Sequence, residues 1–489
     1  MTIERLPAII RVLILIFWIV LFGLLLQRDY FVKTLEVKET RILQKGKEES
    51  FLGIYFQRER IGYVKNRLTP ADDSTVRLEQ TALMQLNILD ETHTIRMEVS
   101  AELTENLLLK NFIFTLSSPF YQMEADGEVR NNSVHFTLYN GKETISDVIR
   151  LNKPPYLSTN QRAYLLKQGL EKGDKIKIPY FDPISLSGKD TIMEYKGLEK
   201  KLIQGRIYNL HHFVESFSGV RINSWLDEEG KVIREESPAG FVFISEPEFK
   251  ATAIPAKGKE ILSAVSAPMI GDMPDISDRE SLQFRLIFPE DAEFTLETDR
   301  QRYADRILTV KRESIPADSA APCAGYEDEL ASTPYIQSKN KMIAKQVLSL
   351  VEENDPPMEK VRILSQWVFD NIEKRPVLGI PDALTTLSTR LGDCNEHAAL
   401  FTALTRNAGI PARVAAGVTF HQGAFYYHAW NEVCIDDRWL SLDTTRNQIP
   451  ADITHIKFIQ GETQEMIRIG ALLGKLKIEV ISKEDDLEQ

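Results

Sequence analysis

Cysteine is scarce in this chain, three residues in 489, and an odd count leaves at least one thiol unpaired. That excludes a small scaffold stapled by a dense disulfide framework. Positive charge is also in deficit. Lys and Arg number 59 against 71 Asp and Glu, a formal net charge of −12 with no basic tail, which argues against a nucleic-acid partner. Apolar runs long enough to span a bilayer are missing everywhere except near the start, so a polytopic membrane protein is excluded. A third metal ligand is missing beside the strand-borne pair His211 and His212, so no metal site is assigned there.

The composition, 43% hydrophobic and 27% charged, is that of a folded chain. Its length is enough for roughly three domains. Leu6 to Leu26 carries one charge, Arg11, and at about 1.5 Å per residue it reaches the roughly 30 Å of a hydrocarbon core. No Ala-x-Ala cleavage pattern follows, so the stretch is expected to be an uncleaved transmembrane anchor. Arg5 and Arg11 favour a cytoplasmic N-terminus, with the bulk on the periplasmic side of a cell inner membrane.

A charged stalk is expected over residues 31–48. Short β-type runs punctuated by turns then dominate: Phe51 to Phe56, Thr94 to Leu103, Leu107 to Leu116, Ser133 to Tyr139 and Arg221 to Leu226. Asp227-Glu-Glu-Gly230 and Tyr139-Asn-Gly141 read as hairpin turns, and one helical insertion is expected near Asn160 to Gln168. Further strands are expected at Ser281 to Phe288, Ala292 to Leu296 and Ile307 to Val310. Residues 312–335 read as a linker. Apolar positions at helical spacing then appear, Ile343, Val347, Leu350 and Val351, followed by Val361, Leu364, Val368 and Ile372 behind Asp355-Pro-Pro. The expected organisation is anchor 1–30, stalk 31–48, β-rich region 49–311, linker 312–335, catalytic domain 336–481 and acidic tail 482–489. The fold class is α+β.

Chemistry concentrates late in the chain. Gly392-Asp-Cys394 precedes an apolar helix pattern that Gly409-Ile-Pro411 stops, which puts Cys394 in the first turn. Free N–H groups and the positive dipole end favour an anion there, so the thiol pKa is expected to fall. Three β-type runs follow, Ala412 to Phe420, Ala424 to Ile435 and Arg438 to Thr445, with Asp436-Asp437 as the tight turn between the last two. A two-residue loop pairs Ile435 with Arg438. It therefore sets His428 and Asp443 as diagonal neighbours on one sheet face, about 7 Å apart along the backbone. Cys394 is the candidate nucleophile, His428 the candidate base, and Asp443 the carboxylate that holds the imidazole. Trp430, Trp439 and Tyr427 are candidate substrate contacts, with sheet packing as the plainer alternative. Cys323 and Cys434 could bridge. Spacing alone does not bring their Cα atoms together, so they are read as a loop thiol and a small strand residue.

Gly392-Asp-Cys-Asn-Glu-His-Ala398, Arg406-Asn-Ala-Gly-Ile-Pro-Ala-Arg413, Gly417, His428-Ala-Trp430 and Trp439-x-x-x-Asp443 together resemble the transglutaminase-like superfamily. The resemblance covers about 335–481 and implies a papain-related α/β core with Cys394, His428 and Asp443 as its triad. Calcium-dependent animal members crosslink glutamine to lysine, but acidic metal loops of that kind are not evident here. The expected activity is therefore cleavage of a peptide or isopeptide amide, with transamidation or peptide binding without turnover as alternatives. No cofactor or metal is expected. Expected partners are a peptide or protein substrate, the membrane through the N-terminal helix, and an envelope protein on the β-rich region. That region, with its Asn223-Ser-Trp-Leu-Asp-Glu-Glu-Gly-Lys-Val232 hairpin, resembles lipid-carrier-type β sheets on pattern alone.

Overall fold

The computed structural model describes residues 33–34, 48–72, 74–88, 91–119, 121–139, 144–157, 165–166, 169–217, 220–254, 266–289, 294–317 and 320–481. Among these residues a single fifteen-stranded sheet dominates. It begins as an antiparallel meander from Glu48–Phe56 to Thr144–Arg150, and a second meander runs from Lys175–Asp182 to Phe241–Ser245. The last strand of the second pairs with the first strand of the first, Phe243 opposite Ile54, so the two meanders continue one another. The remaining gap is narrow: a Cβ on Gly188 would lie 2.3 Å from Leu151 and 3.4 Å from Ile149. The sheet is a nearly closed barrel.

Alternation explains why these segments are strands. Ser133–Tyr139 buries Val134, Phe136 and Leu138 and turns the residues between them outward. The inward residues of successive strands merge into one apolar core that includes Leu103, Phe112, Phe114, Met123, Phe181 and Phe213. His211 and His212 are committed within the sheet. Tyr195 Oη lies 2.7 Å from His211 Nδ1, while His212 stacks on Trp225 and reaches Asn223 at 2.9 Å.

The expected α+β class with a membrane-spanning helix requires correction. The described architecture is β-rich, because strands as long as Ser187–Ile203 outweigh the few helices. Among the described residues no helix is long and apolar enough to cross a membrane. The stretch Leu6 to Leu26, most of the 31–48 stalk, most of the Asn160 to Gln168 insertion and the 482–489 tail lie outside the described residues.

The C-terminal unit starts with helices α1 (Lys341–Leu348), α2 (Pro357–Asn371), α3 (Ala383–Thr389) and α4 (Cys394–Asn407). Strands β1 (Ala412–His421), β2 (Ala424–Ile435), β3 (Arg438–Leu442) and β4 (Ile456–Gln460) follow, ordered β3-β2-β1-β4. Helix α4 is the buried hub, with Ala398, Leu400, Phe401, Ala403 and Leu404 in the core beside Val361, Leu364 and Val368 of α2. Gly417 permits the β1–β4 approach, since a Cβ there would sit 1.9 Å from the Ile456 carbonyl oxygen.

Strands Ser281–Ile287 and Ile307–Lys311 were grouped with the β-rich region on sequence. They instead join Lys477–Ile481 in a separate sheet that packs its core against Val418, Phe425 and Phe458 of the C-terminal unit. Residues 294–296, the described part of the expected strand Ala292 to Leu296, are irregular, and the Leu296 carbonyl accepts from Gln301 Nε2. The described part of the segment read as a linker is a fixed strap. Cys323 is disulfide-bonded to Cys434, correcting the free-thiol expectation, and Tyr335 Oη donates to the Ile184 carbonyl of the barrel.

Candidate active site

The site is built where the start of α4 meets the sheet. Asp393 caps the helix by accepting from Asn395 N–H at 2.8 Å, and Glu396 answers by accepting from Asp393 N–H at 2.9 Å. This reciprocal capping box makes Glu396 part of the helix start. It fixes Cys394 as the first helical residue. Asn431 of β2, fully buried, donates from Nδ2 to the Ala398 carbonyl and to Thr402 Oγ1, both at 2.9 Å, and so pins the strand to the helix. The Ala429 N–H on that strand points at the Cys394 thiol, one residue from His428.

Turn chemistry sets the other half. Asp436 and Asp437 both adopt left-handed φ, 59° and 55°, the two-residue hairpin turn that matches strand twist. The resulting register pairs Ile435 with Arg438 and Asn431 with Leu442, so Asp443 follows just beyond the ladder. His428 Nε2 then donates to Asp443 Oδ2 at 2.8 Å. The other carboxylate oxygen, Oδ1, accepts from the backbone N–H groups of Thr445 and Arg446 at 2.9 and 3.2 Å.

Sequence reasoning missed His455. It is fully buried, and its Nε2 lies 3.1 Å from the same Asp443 Oδ2, while its Nδ1 lies 3.1 Å from Asp452 Oδ1. The only available signal was a His three residues after an Asp, too common to single out. His428, Asp443 and His455 present ligand atoms within 4.8 Å of one another, a spacing a cation could also use. Hydrogen bonding accounts for every one of these contacts: one carboxylate oxygen serves two rings, and the other serves two amides.

The aromatic candidates do not converge on the thiol. Trp430 is buried beside the His428 and His455 rings, 6.4 and 5.2 Å from them centre to centre. Trp439 lies beneath the Arg413 guanidinium, 3.6 Å from its ring centre, and edge-on to Tyr326. Tyr427 packs into the core on the far side of the sheet, as strand alternation requires of a neighbour of His428.

Electrostatics correct one expectation. Burial, with the Asp393 carboxylate next, pushes the Cys394 thiol well above its ordinary range, outweighing the Ala429 N–H. Burial likewise depresses the His428 imidazole against the opposing pull of Asp443. Burial works against ionising Asp443, yet His428 and His455 together hold its carboxyl well below the usual carboxylate range. Both shifts favour the neutral thiol and the neutral imidazole.

A half-buried helix-start cysteine within electrostatic reach of a strand-borne His–Asp pair is the arrangement of a papain-type thiol site. The Transglutaminase-like superfamily profile matches residues 343–444, and this part of the chain is a transglutaminase-like domain. Three solved structures align with longer stretches. A candidate cysteine protease of Cytophaga hutchinsonii is 18% identical over 40% of this chain and 83% of its own, with a TM-score of 0.29. A β-barrel-like protein of unknown function from Brucella abortus is 9% identical over 40% and 94%, TM-score 0.31. A candidate protease of Parabacteroides distasonis is 12% identical over 66% and 63%, TM-score 0.19. No curated protein matches.

Proposed function

We propose that the transglutaminase-like domain is a cysteine amidase that cleaves a peptide or isopeptide bond. The observation that carries this reading is the 2.8 Å His428–Asp443 hydrogen bond, one residue from the amide that faces the Cys394 thiol. Because both shifts favour the neutral forms, His428 acts as general base during attack rather than within a preformed ion pair. The Cys394 sulfur bonds to the amide carbonyl carbon as its proton passes to His428 Nδ1. The imidazolium formed is steadied by Asp443. The tetrahedral intermediate then expels the amine, which takes that proton, and leaves a thioester. Water, deprotonated by His428, cleaves the thioester, releases the acid and restores the thiol. The Cys394 N–H at the open helix start is a donor for the oxyanion.

The Cys323–Cys434 disulfide supports a setting in an oxidising, extracytoplasmic compartment. The test compares wild type with Cys394→Ala on a fluorogenic peptide library and with iodoacetamide above pH 9, where the raised thiol begins to ionise. Loss of cleavage and of labelling at residue 394, by a factor of about 10³ or more with an unchanged circular dichroism spectrum, supports the reading. Equal cleavage by both proteins sinks it. A fluorescent amine added to the reaction separates hydrolysis from transfer: covalent incorporation marks a transamidase.

A further inference from the structure

His455 stands outside the three-residue site, yet both of its ring nitrogens face carboxylate oxygens. Asp443 is held ionised, since its two oxygens already accept from His428, Thr445 N–H and Arg446 N–H. Asp452 is held in the same way. Its Oδ1 accepts from Thr454 N–H at 2.8 Å and Thr454 Oγ1 at 2.6 Å, and its Oδ2 from Gln448 Nε2 at 3.1 Å. An ionised carboxylate has only lone pairs to offer. A neutral His455, itself fully buried, would aim one lone pair at a carboxylate oxygen 3.1 Å away. Only the doubly protonated ring satisfies both contacts.

We propose that His455 is a permanent buried imidazolium that positions Asp443 and tunes the proton affinity of His428, an inference that rests on the amidase reading above. Its positive charge lies 5.9 Å from the His428 ring, centre to centre, with the Trp430 ring 5.2 Å from it. The charged groups around it are accounted for. Asp443 follows β3 and Asp452 shares its loop, while Arg446 Nε approaches Asp443 Oδ2 at 3.7 Å. Arg300, from the neighbouring sheet region, donates to the Asp452 carbonyl at 2.6 Å, and Lys457, two residues on, is paired with Glu432. Burial opposes a charged His455, but the two carboxylates raise its proton affinity above that of an ordinary histidine. The arrangement works in two ways. A fixed cation keeps Asp443 ionised and aimed, and it repels a proton on His428, so the base stays neutral and ready at lower pH.

The experiment uses full-length Cys394→Ala protein with nitrogen-15 histidine and follows ring nitrogens by NMR from pH 5 to 9. One of the eight histidines keeps both ring N–H signals throughout the range, and His455→Gln removes that pair. In His455→Gln the His428 midpoint rises by about one to two pH units, as loss of a unit charge at this distance requires. A merely structural histidine would leave the His428 midpoint in place. Should His455→Gln fail to fold, Asp452→Asn serves: with one carboxylate charge removed, the second N–H signal is lost at a lower pH than in the parent protein. A His455 ring that carries one proton at pH 7 in the parent overturns the proposal. Because the nucleophile is absent throughout, that outcome leaves the amidase reading standing, and an inactive enzyme leaves this test intact.

Discussion

The barrel and the transglutaminase-like domain solve the same burial problem in opposite ways. The barrel fills its main core with aliphatic and aromatic side chains and confines buried charge to local knots such as Arg60 with Glu246 at 2.6 Å. The C-terminal unit and the sheet packed on it thread ionisable groups through their interior: Arg300 with Glu313, Lys457 with Glu432, and the Asp452–His455–Asp443–His428 chain. Buried ion pairs seldom add net stability over a well-packed apolar core. Their concentration around one imidazole coincides with the site proposed to carry the chemistry. The two units nevertheless meet beside the site. The Tyr121 ring of the barrel packs against Gly379, in the loop that leads to α3 and then α4.

The contrast can be broken by matched substitutions. Asp443→Asn removes the carboxylate charge that holds His428 and leaves His455 facing a neutral amide. Turnover should fall by about 10²–10⁴, with a loss of about 3–5 kcal/mol read by urea unfolding. Phe112→Ala in the barrel should cost a similar 3–5 kcal/mol, while kcat per folded molecule stays within about twofold. Equal kinetic damage from the two would erase the distinction. Replacing Cys323 and Cys434 together by Ser opens a link spanning 111 residues and should lower stability by about 2–5 kcal/mol. The melting temperature should fall and the pH profile of cleavage should keep its shape.

The contact between the units gives a smaller effect. A Cβ on Gly379 would approach the Tyr121 ring to 2.3 Å, so Gly379→Ala should cost about 1–3 kcal/mol. Tyr121→Ala should relieve most of that cost in the double mutant, and additivity of the two losses would show that the ring is not the obstacle. Smallest in scale is the pH profile. His428 accepts a proton only when neutral, and burial depresses its pKa, so cleavage should rise with pH to a plateau through a midpoint below about 6.5. The Cys394 thiol is pushed the other way, so its alkylation by iodoacetamide should still be climbing above pH 9. A thiol titrating near pH 6 would restore the preformed ion pair and contradict the general-base order of steps.

Much of this was legible in the residues alone. The period-two runs located the strands, Gly392-Asp-Cys394 placed the helix start, and Asp436-Asp437 fixed a hairpin whose register brings His428 to Asp443. Those features depend on neighbours in sequence, and local backbone chemistry dictates them. Closure of the two meanders through Phe243 and Ile54, the pairing of Ser281–Ile287 with Lys477–Ile481, and the Cys323–Cys434 link each join residues more than a hundred positions apart. No local propensity encodes such contacts. The thiol shows the same division. Its position at a helix start was in the sequence, whereas the direction of its pKa was not, because desolvation depends on what the rest of the chain folds over it. His455 became visible only when folding set its two nitrogens between two carboxylates that lie 12 and 3 positions away.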